Sequence, residues 1–421
     1  MRLYTSLFHT KYTISPVLSR VWLSIFNSVY LYIMIQTDSA LRNIKVRFPG
    51  QIIIGKNSII ELADEIIGAG HVHVLIVTID VLLTTIGPVI KQLQQKDIKV
   101  QVNTSITREP SYADIYSLLI TASGQPVDAV IGIGGGSVLD AAKVIAAQIK
   151  NDQTINEITG NGLLKKRGVK LICIPTTAGT GSEVSPNAIL IDDTDNQKKG
   201  IISPYLVPDT VIIDPALTYN LPPDITAATG LDALTHCLEA YTNLFAHPFI
   251  DMYAFEGIRL IAANLPKAVS DGADENARAQ LAIGSMLGGF CLGPVNTAGV
   301  HALAYPLGSM FHIAHGLSNA LLLPYVMRYN AISAPARYAD VARALGCNSL
   351  GTDLETAYAG VDKVRGLIKQ CHLPEKLSDV GVPRSAIPAM AADAMKITRL
   401  LKNNPRAITI SDAINIYEEA Y

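Results

Sequence analysis

Asp128-Ala-Val-Ile-Gly-Ile-Gly-Gly-Gly-Ser-Val-Leu-Asp140-Ala-Ala-Lys143 passes from an uncharged, β-branched run through consecutive glycines into an Ala- and Leu-rich segment with helical spacing. Strand, tight turn and helix in this order make half of a βαβ unit. Glycines let backbone N–H groups approach a ligand closely, and the helix N-terminus adds partial positive charge. Gly134, Gly135, Gly136 and Ser137 are therefore expected to seat a pyrophosphate. The spacing is not GxGxxG, and an ordinary tight turn would need only one glycine. Asp140 is either a cofactor-side group or a plain complement to the helix dipole.

The same alternation extends in both directions. Upstream, strands are expected at Val46 to Ile54, His73 to Thr78 and Lys99 to Val102. The intervening helices run from Asn57 or Ser58 to about Ile67, up to about Gln95, and from Tyr112 to Ala122. Downstream, Leu171 to Ile174 leads into Pro175-Thr176-Thr177-Ala-Gly179-Thr180-Gly-Ser182-Glu183-Val184, followed by strands at Asn187 to Asp192, Gly200 to Ser203 and Val211 to Ile213. Near-continuous apolar strands separated by helices predict a parallel sheet covered on both faces, with ligands at the carboxyl ends of its strands. The hydroxyls of Thr176, Thr177 and Thr180 suit a ribose, a nicotinamide or a substrate oxygen. Lys198 either reaches a cofactor phosphate or is a solvated cation.

At about Leu217 the texture changes. After Leu221-Pro-Pro223 the apolar spacing is helical throughout, with helices expected near 224–243, 248–264, 274–291, 297–306, 315–330, 334–344 and 352–371. The expected architecture is an α/β dinucleotide-binding domain with a Rossmann-like parallel sheet over 44–217, followed by an all-α domain over 218–421, the two packing over a cleft. Residues 1–43 are read as an extension outside the fold. Their apolar run Val21 to Ile35 is interrupted by Ser24, Asn27 and Ser28 and falls short of the roughly 20 residues a spanning helix needs. The expectation is a working start near Met34; the alternative is a targeting or membrane role.

Bulk properties narrow the partners. A net charge of −2 over 421 residues offers no basic footprint for nucleic acid and none for an anionic membrane, so a small-molecule substrate is expected. Cys173, Cys237, Cys291, Cys347 and Cys371 show no CxxC spacing, the usage of reduced thiols in a cytoplasmic protein.

In the helical half, Gly293 to Pro324 holds His301, His312 and His315 and carries no Lys or Arg. Asp232 and His236 lie four apart in Asp-Ala-Leu-Thr-His, so on a helix they project from one face. With His301 and His315 they are candidates for a four-ligand N/O site suited to Fe²⁺ or Zn²⁺. The plainer alternative is a hydrogen-bonded surface pair and histidines donating to backbone carbonyls.

Five ordered stretches now coincide: Phe48 to Gly55, Gly134-Gly-Gly-Ser-x-x-Asp-x-x-Lys143, Pro175 to Val184, Gly230-x-Asp-Ala-x-x-His236 and His301 through Asn319. In these the chain resembles the iron-containing, or group III, alcohol dehydrogenase family from about Ile44 to its end. The resemblance implies the dehydroquinate synthase-like plan, with NAD(P) and a divalent metal between the two domains. It implies that Asp232, His236, His301 and His315 bind the metal, and that Gly134 to Ser137 hold the pyrophosphate. Thr176, Thr177 and Thr180 would then lie by ribose and nicotinamide, with Ile189 and Lys198 on the cofactor's side and His312 structural or substrate-side. The implied reaction is hydride transfer between nicotinamide C4 and a small alcohol, or its aldehyde, held on the metal, by a homodimer or larger assembly.

Three departures stand out. Tyr305 occupies the place where many members carry a second histidine that relays a proton, and an ordinary phenol with a pKa near 10 is a poor base at neutral pH. Tyr305 is kept as the catalytic candidate there. Thr78-Ile79-Asp80 stands in place of the Thr-Asp that chelates the adenosine ribose, which leaves NADP open while favouring NAD slightly, because Asp80 can still swing in. Glu109-Pro110 stands where many members have Asn-Pro. A hydroxyacid–oxoacid transhydrogenase with tightly held NAD, a dehydroquinate synthase-like lyase and a non-catalytic metal-binding protein are the other readings; a lyase with a polyanionic substrate would call for Lys and Arg around the metal.

Overall fold

The computed structural model describes residues 42–421 except 125, and Lys45–Tyr421 form one compact unit. The apolar run at Val21 to Ile35 and the expected start at Met34 lie outside the described residues.

Six strands build the main sheet: β1 (Gln51–Ile54), β2 (His73–Val77), β3 (Lys99–Asn103), β4 (Ala129–Gly134), then, past a second small sheet, β6 (Lys170–Pro175) and β9 (Thr210–Ile213). Their order is β1-β9-β6-β4-β2-β3, and every pairing is parallel. Each strand residue points to the opposite face from its neighbours. Val74, Ile76, Ile131 and Ile172 enter one buried cluster with α1 (Glu61–Gly68) and α2 (Leu83–Gln94). Leu75, Val77, Val130 and Leu171 enter another with α3 (Tyr112–Ser123) and α4 (Gly136–Gln148). Burial on both faces is why these strands read as unbroken apolar runs rather than alternating ones.

β5 (Gly160–Asn161), which follows the short α5 (Ile155–Ile158), lies outside this sheet with β7 (Asn187–Asp192) and β8 (Gln197–Ile202), in the order β5-β8-β7. β7 and β8 pair antiparallel. The link between them is only residues 193–196, with Asn196 at φ 55°, and so short a link permits a hairpin but no parallel crossover. β8 begins three residues earlier than the expected strand and takes in Lys198 and Lys199. Alternation then sends Lys198 into the cleft described below and Lys199 outward to Asp195. At the other end, the expected strand from Val46 shortens to β1, whose register begins at Gln51 opposite Thr210, the first residue of β9.

From Pro223 onward the chain is helical: α6 (Pro223–Thr242), α7 (Pro248–Ser270), α8 (Glu275–Cys291), α9 (Gly299–Phe311), α10 (His315–Ala331), α11 (Pro335–Ala344), α12 (Asp353–Gln370), α13 (Ile387–Ala394), α14 (Thr398–Leu401) and α15 (Ile410–Glu419). α7 and α9 run past the expected stops, carrying Pro266 and Pro306 inside them. Packing outweighs the lost N–H: Leu265 and Leu307 beside these prolines are fully buried. No helix among the described residues is long and apolar enough to cross a membrane.

The helical half meets the sheet where Val211 and Ile213 of β9 pack with Met286 and Phe290 of α8. The loop after β6 completes this seam. Gly181, at φ +61°, lies against Gly289 of α8 so closely that a Cβ on Gly289 would stand 2.4 Å from the Gly181 carbonyl oxygen and 2.6 Å from Val184 Cγ2. Gly289→Ala is expected to destabilise the protein by about 1–3 kcal/mol through overpacking, lowering the apparent melting temperature in scanning fluorimetry; an unchanged melting curve would refute this view of the seam.

Candidate metal centre and cofactor cleft

α4 opens at the carboxyl end of β4, where neighbouring strands lead away to opposite sides of the sheet. Such a crevice is where open α/β sheets bind ligands. The N-cap of α4, Gly135, has no side-chain cap; the Val138 N–H closes on the Gly135 carbonyl at 3.0 Å, while the Gly136 and Ser137 N–H groups have no carbonyl four residues earlier within the helix. Gly135, Gly136 and Ser137 line a cleft of about 280 Å³. Gly136 is obligatory for the wall itself: a Cβ there would meet Thr180 Cγ2 at 2.6 Å. Gly134 sits one layer deeper, with its carbonyl accepting the Thr176 N–H at 3.0 Å.

Of the residues singled out in the sequence, Gly135, Gly136, Ser137, Asp140, Thr177, Thr180, Ile189, Lys198, Asp232, His236, His301, Tyr305 and His315 line this cleft. Gly134, Thr176 and Asp80 do not. Thr176 is buried behind the wall, whereas Asp80 is exposed at the start of a 3₁₀ turn after β2. Ile79 before it packs against the core. His312 is also outside; it is exposed, and its φ of 56° ends α9.

Asp140 is a strut. Ser182 Oγ donates to one of its carboxylate oxygens and the Ile189 N–H to the other, the latter at 2.9 Å. Lys143, fully buried, donates to Ser182 Oγ at 2.8 Å, Ser185 Oγ at 3.2 Å and the Asn187 carbonyl at 2.8 Å. Burial pushes the Asp140 carboxyl up and the Lys143 ammonium down, and each charge offsets part of the other's penalty. Lys198 is likewise engaged, in an ion pair with Glu109.

The opposite wall comes from three helices. α6 presents Asp232, His236 and Glu239 at positions i, i+4 and i+7, α9 presents His301 and Tyr305, and α10 begins at His315. Asp232 is 2 % exposed, and its Oδ1 lies 3.8 Å from His236 Nε2 and 3.6 Å from both His301 Nε2 and His315 Nε2. The four donor atoms lie within 4.8 Å of one another. Tetrahedral bonds of about 2.1 Å to a metal imply donor–donor edges of roughly 3.4 Å; Asp232 already stands near that distance from each imidazole, and donors as far as 4.8 Å apart draw together to hold an ion.

The surroundings support the same fit. His301 Nδ1 is 2.6 Å from Glu239 Oε2, so it donates there and turns its Nε2 toward Asp232. The second Glu239 oxygen accepts the Val300 N–H at 2.6 Å. The Asn319 amide nitrogen donates to Asp232 Oδ1 at 2.7 Å and stands 3.1 Å from His301 Nε2 and 3.3 Å from His315 Nε2, as a neutral donor amid ligand-type acceptors. Its Oδ1 is buried and has no hydrogen-bond partner among the described residues.

Burial alone would push the Asp232 carboxyl up; His236, His315 and His301 overcome this and hold it well below the ordinary carboxylate range. Burial likewise opposes charge on His301, but Glu239 and Asp232 outweigh it and raise the imidazole to about 10. For His315 burial prevails over the pull of Asp232, and the pKa falls to about 3.

Sequence reasoning missed Glu239, Asn319 and Arg399. Glu239 was legible as the next position on the Asp232/His236 face, and Asn319 as the residue four after His315. Arg399, in a short helix remote in sequence, carried no signal.

A parallel sheet with an uncapped glycine-rich helix start, facing a buried carboxylate and three imidazoles, defines a nucleotide-linked, metal-dependent oxidoreductase. Residues 49–215 match the family described as iron-containing alcohol dehydrogenase, and residues 226–421 its C-terminal part. The chain is 40% identical over 384 residues to long-chain-alcohol dehydrogenase 1 of Geobacillus thermodenitrificans (strain NG80-2), covering 90% of this chain and 96% of that one. The crystal structure of 1,3-propanediol oxidoreductase is similar with a TM-score of 0.87 at 31% identity, covering 90% of this chain and 100% of that one. Sulfoacetaldehyde reductase from Bifidobacterium kashiwanohense, crystallised with NAD⁺, follows at a TM-score of 0.81 and 27% identity, covering 90% and 99%. The chain belongs to the iron-containing alcohol dehydrogenase family, metal-dependent NAD-linked oxidoreductases acting on CH–OH groups.

Glu239→Gln keeps the size of the side chain but removes the charge that orients His301. Ferrous ion affinity, measured by titration calorimetry under anaerobic conditions, is expected to fall about 10- to 100-fold; unchanged affinity would show that Glu239 does not support the ligand.

Proposed function

We propose that the protein reduces a small aldehyde to its primary alcohol, reversibly, with NAD(H) and a ferrous ion held by Asp232, His236, His301 and His315. The observation that carries this is the buried carboxylate with three imidazole Nε2 atoms 3.6–3.8 Å away, on the same cleft as the start of α4. When bound, the metal polarises the substrate oxygen and the nicotinamide gives or takes the hydride.

The chain's own groups do the rest. The open N–H groups at Gly136 and Ser137 receive the pyrophosphate, and the Thr177 and Thr180 hydroxyls orient ribose and nicotinamide. Asp140, fixed by Ser182 and Ile189, keeps the cofactor wall from moving. Tyr305 lies beside His315, with ring centroids 6.3 Å apart, and its hydroxyl accepts from Arg399 Nη2 at 3.3 Å. With the hydroxyl held at Arg399, the proton of the reacting oxygen exchanges with water, and Tyr305 closes the space beside His315. Asp80, exposed where β2 ends while Ile79 turns into the core, is the acid available to the adenosine ribose and supports NAD over NADP.

The same reading takes 44–217 as the cofactor domain and 218–421 as the metal domain, supported by the positions of the two family matches. Five free cysteines accord with a cytoplasmic setting, and the family resemblance with a homodimer or larger assembly. A lyase for a polyanion finds little support, since among the described residues Lys198 and Arg399 are the only Lys or Arg in the cleft lining.

Asp232→Ala and His315→Ala are each expected to lose bound iron and to cut NADH oxidation at 340 nm by about a thousandfold or more; full turnover in an iron-free variant would refute the metal assignment. Asp80→Ser is expected to raise the kcat/KM for NADPH relative to NADH about tenfold. No change in that ratio would remove Asp80 from the cofactor site.

A further inference from the structure

Charges in the cleft are met by partners with one exception. Asp232 stands among imidazoles, Asp140 accepts from Ser182 and Ile189, and Glu109 pairs with Lys198. Arg399 lines the same cleft and enters no ion pair among the described residues; its guanidinium donates to the neutral Tyr305 hydroxyl. A partly buried guanidinium presents a planar fork of donors that matches a carboxylate. The Tyr305 ring spans the interval between this cation and the ligand set: its hydroxyl is at Arg399 and its ring faces His315. The cofactor's own anionic group has its seat at the start of α4, on the opposite wall. Among the described residues, the aliphatic side chains of the lining are Pro110, Ile189 and Leu292.

We propose that Arg399 is a specificity-determining residue for a carboxylate at the far end of the substrate, so that the substrate is a short-chain oxo acid with a terminal aldehyde and the product is the corresponding hydroxy acid. This rests on the aldehyde-reducing reading above. Hydride from NADH adds to the aldehyde carbon, a proton from water adds to its oxygen, and the carboxylate, a spectator, anchors the chain on Arg399. The anchor fixes the distance from charge to carbonyl, and the reacting end is thereby delivered to the Asp232 and His315 end of the cleft.

The test uses the full-length, iron-loaded protein with NADH and compares 4-oxobutanoate and 5-oxopentanoate with butanal and pentanal. Wild type is expected to prefer each oxo acid over its neutral counterpart by at least about tenfold in kcat/KM. Arg399→Gln is expected to shrink that preference about 10- to 100-fold, mostly through the KM of the oxo acid, and Arg399→Lys to restore part of it. A preference for the neutral aldehydes, or an Arg399→Gln effect equal for both kinds of substrate or lying in the KM for NADH, overturns the proposal. Succinate provides an arm that needs no turnover: it is expected to bind the wild-type protein with NAD⁺ present and to lose that binding in Arg399→Gln, and equal binding to both overturns the proposal. Turnover of the neutral aldehydes with no charge preference would sink Arg399 alone, whereas no turnover of any aldehyde, with iron and NADH bound, would sink the aldehyde-reducing reading.

Discussion

A carboxylate removed from water must be met by positive charge or dense hydrogen bonding, or it does not stay ionised. Asp232 is such a group, and the helical half of the molecule is arranged to meet it. α6 brings the acid together with His236, α9 delivers His301, and the reversal at His312 lets α10 start with His315 pointing at the same oxygen. Three imidazoles share one carboxylate oxygen, and neither they nor the Asn319 amide supplies a second formal charge unless a proton or a metal cation is added. A divalent ion answers that demand better than a proton, because it engages all four donors at once. Glu239 then has a clear place: by accepting from His301 Nδ1 it settles which nitrogen of that ring is free.

The sheet side solves a different problem, which is to keep the other wall of the cleft rigid. Here the rigid part is the buried Lys143, whose ammonium joins Ser182, Ser185 and the Asn187 carbonyl. A buried lysine is unfavourable by itself and tolerable only when its protons are all used. Satisfying them pins the Ser182 loop and the start of β7 to α4, so both sides of the cofactor wall move with one helix. The Gly181–Gly289 approach joins that wall to α8. Geometry between sheet and metal centre thus rests on backbone contact at one seam rather than on long side chains with freedom to rotate.

These two halves were unequally legible in the sequence. Strands such as Val74–Val77 announce themselves because both faces are buried and every position is apolar. The helix expected near 352–371 forms, with Thr352 closing a capping box at its start. What escaped was set by tertiary context. In the antiparallel β7–β8 hairpin, β7 has the apolar centre of a parallel strand, whereas β8 opens with Gln197, Lys198 and Lys199, and the short link marks the reversal. The prolines in α7 and α9 carry a local stop signal that packing overrides. In the site, ligand-type residues spaced along one helix face were readable, including Asp232 and His236. Arg399 was not, because its nearness to Tyr305 arises from folding α14 onto α9 across 94 positions of chain.

That pairing bears on why a tyrosine stands at 305. An imidazole there would be shorter than a phenol and, once protonated, would repel the guanidinium beside it. A phenol keeps a neutral acceptor pointed at Arg399 while its ring still closes the space next to His315. Lys198, 5.8 Å from the centroid of the same ring, adds a second cation that an aromatic face accepts and an imidazolium would not. Tyr305 and Arg399 thus act as one unit: the phenol oxygen supports a guanidinium that has no ion pair among the described residues, while the ring fills the space next to His315.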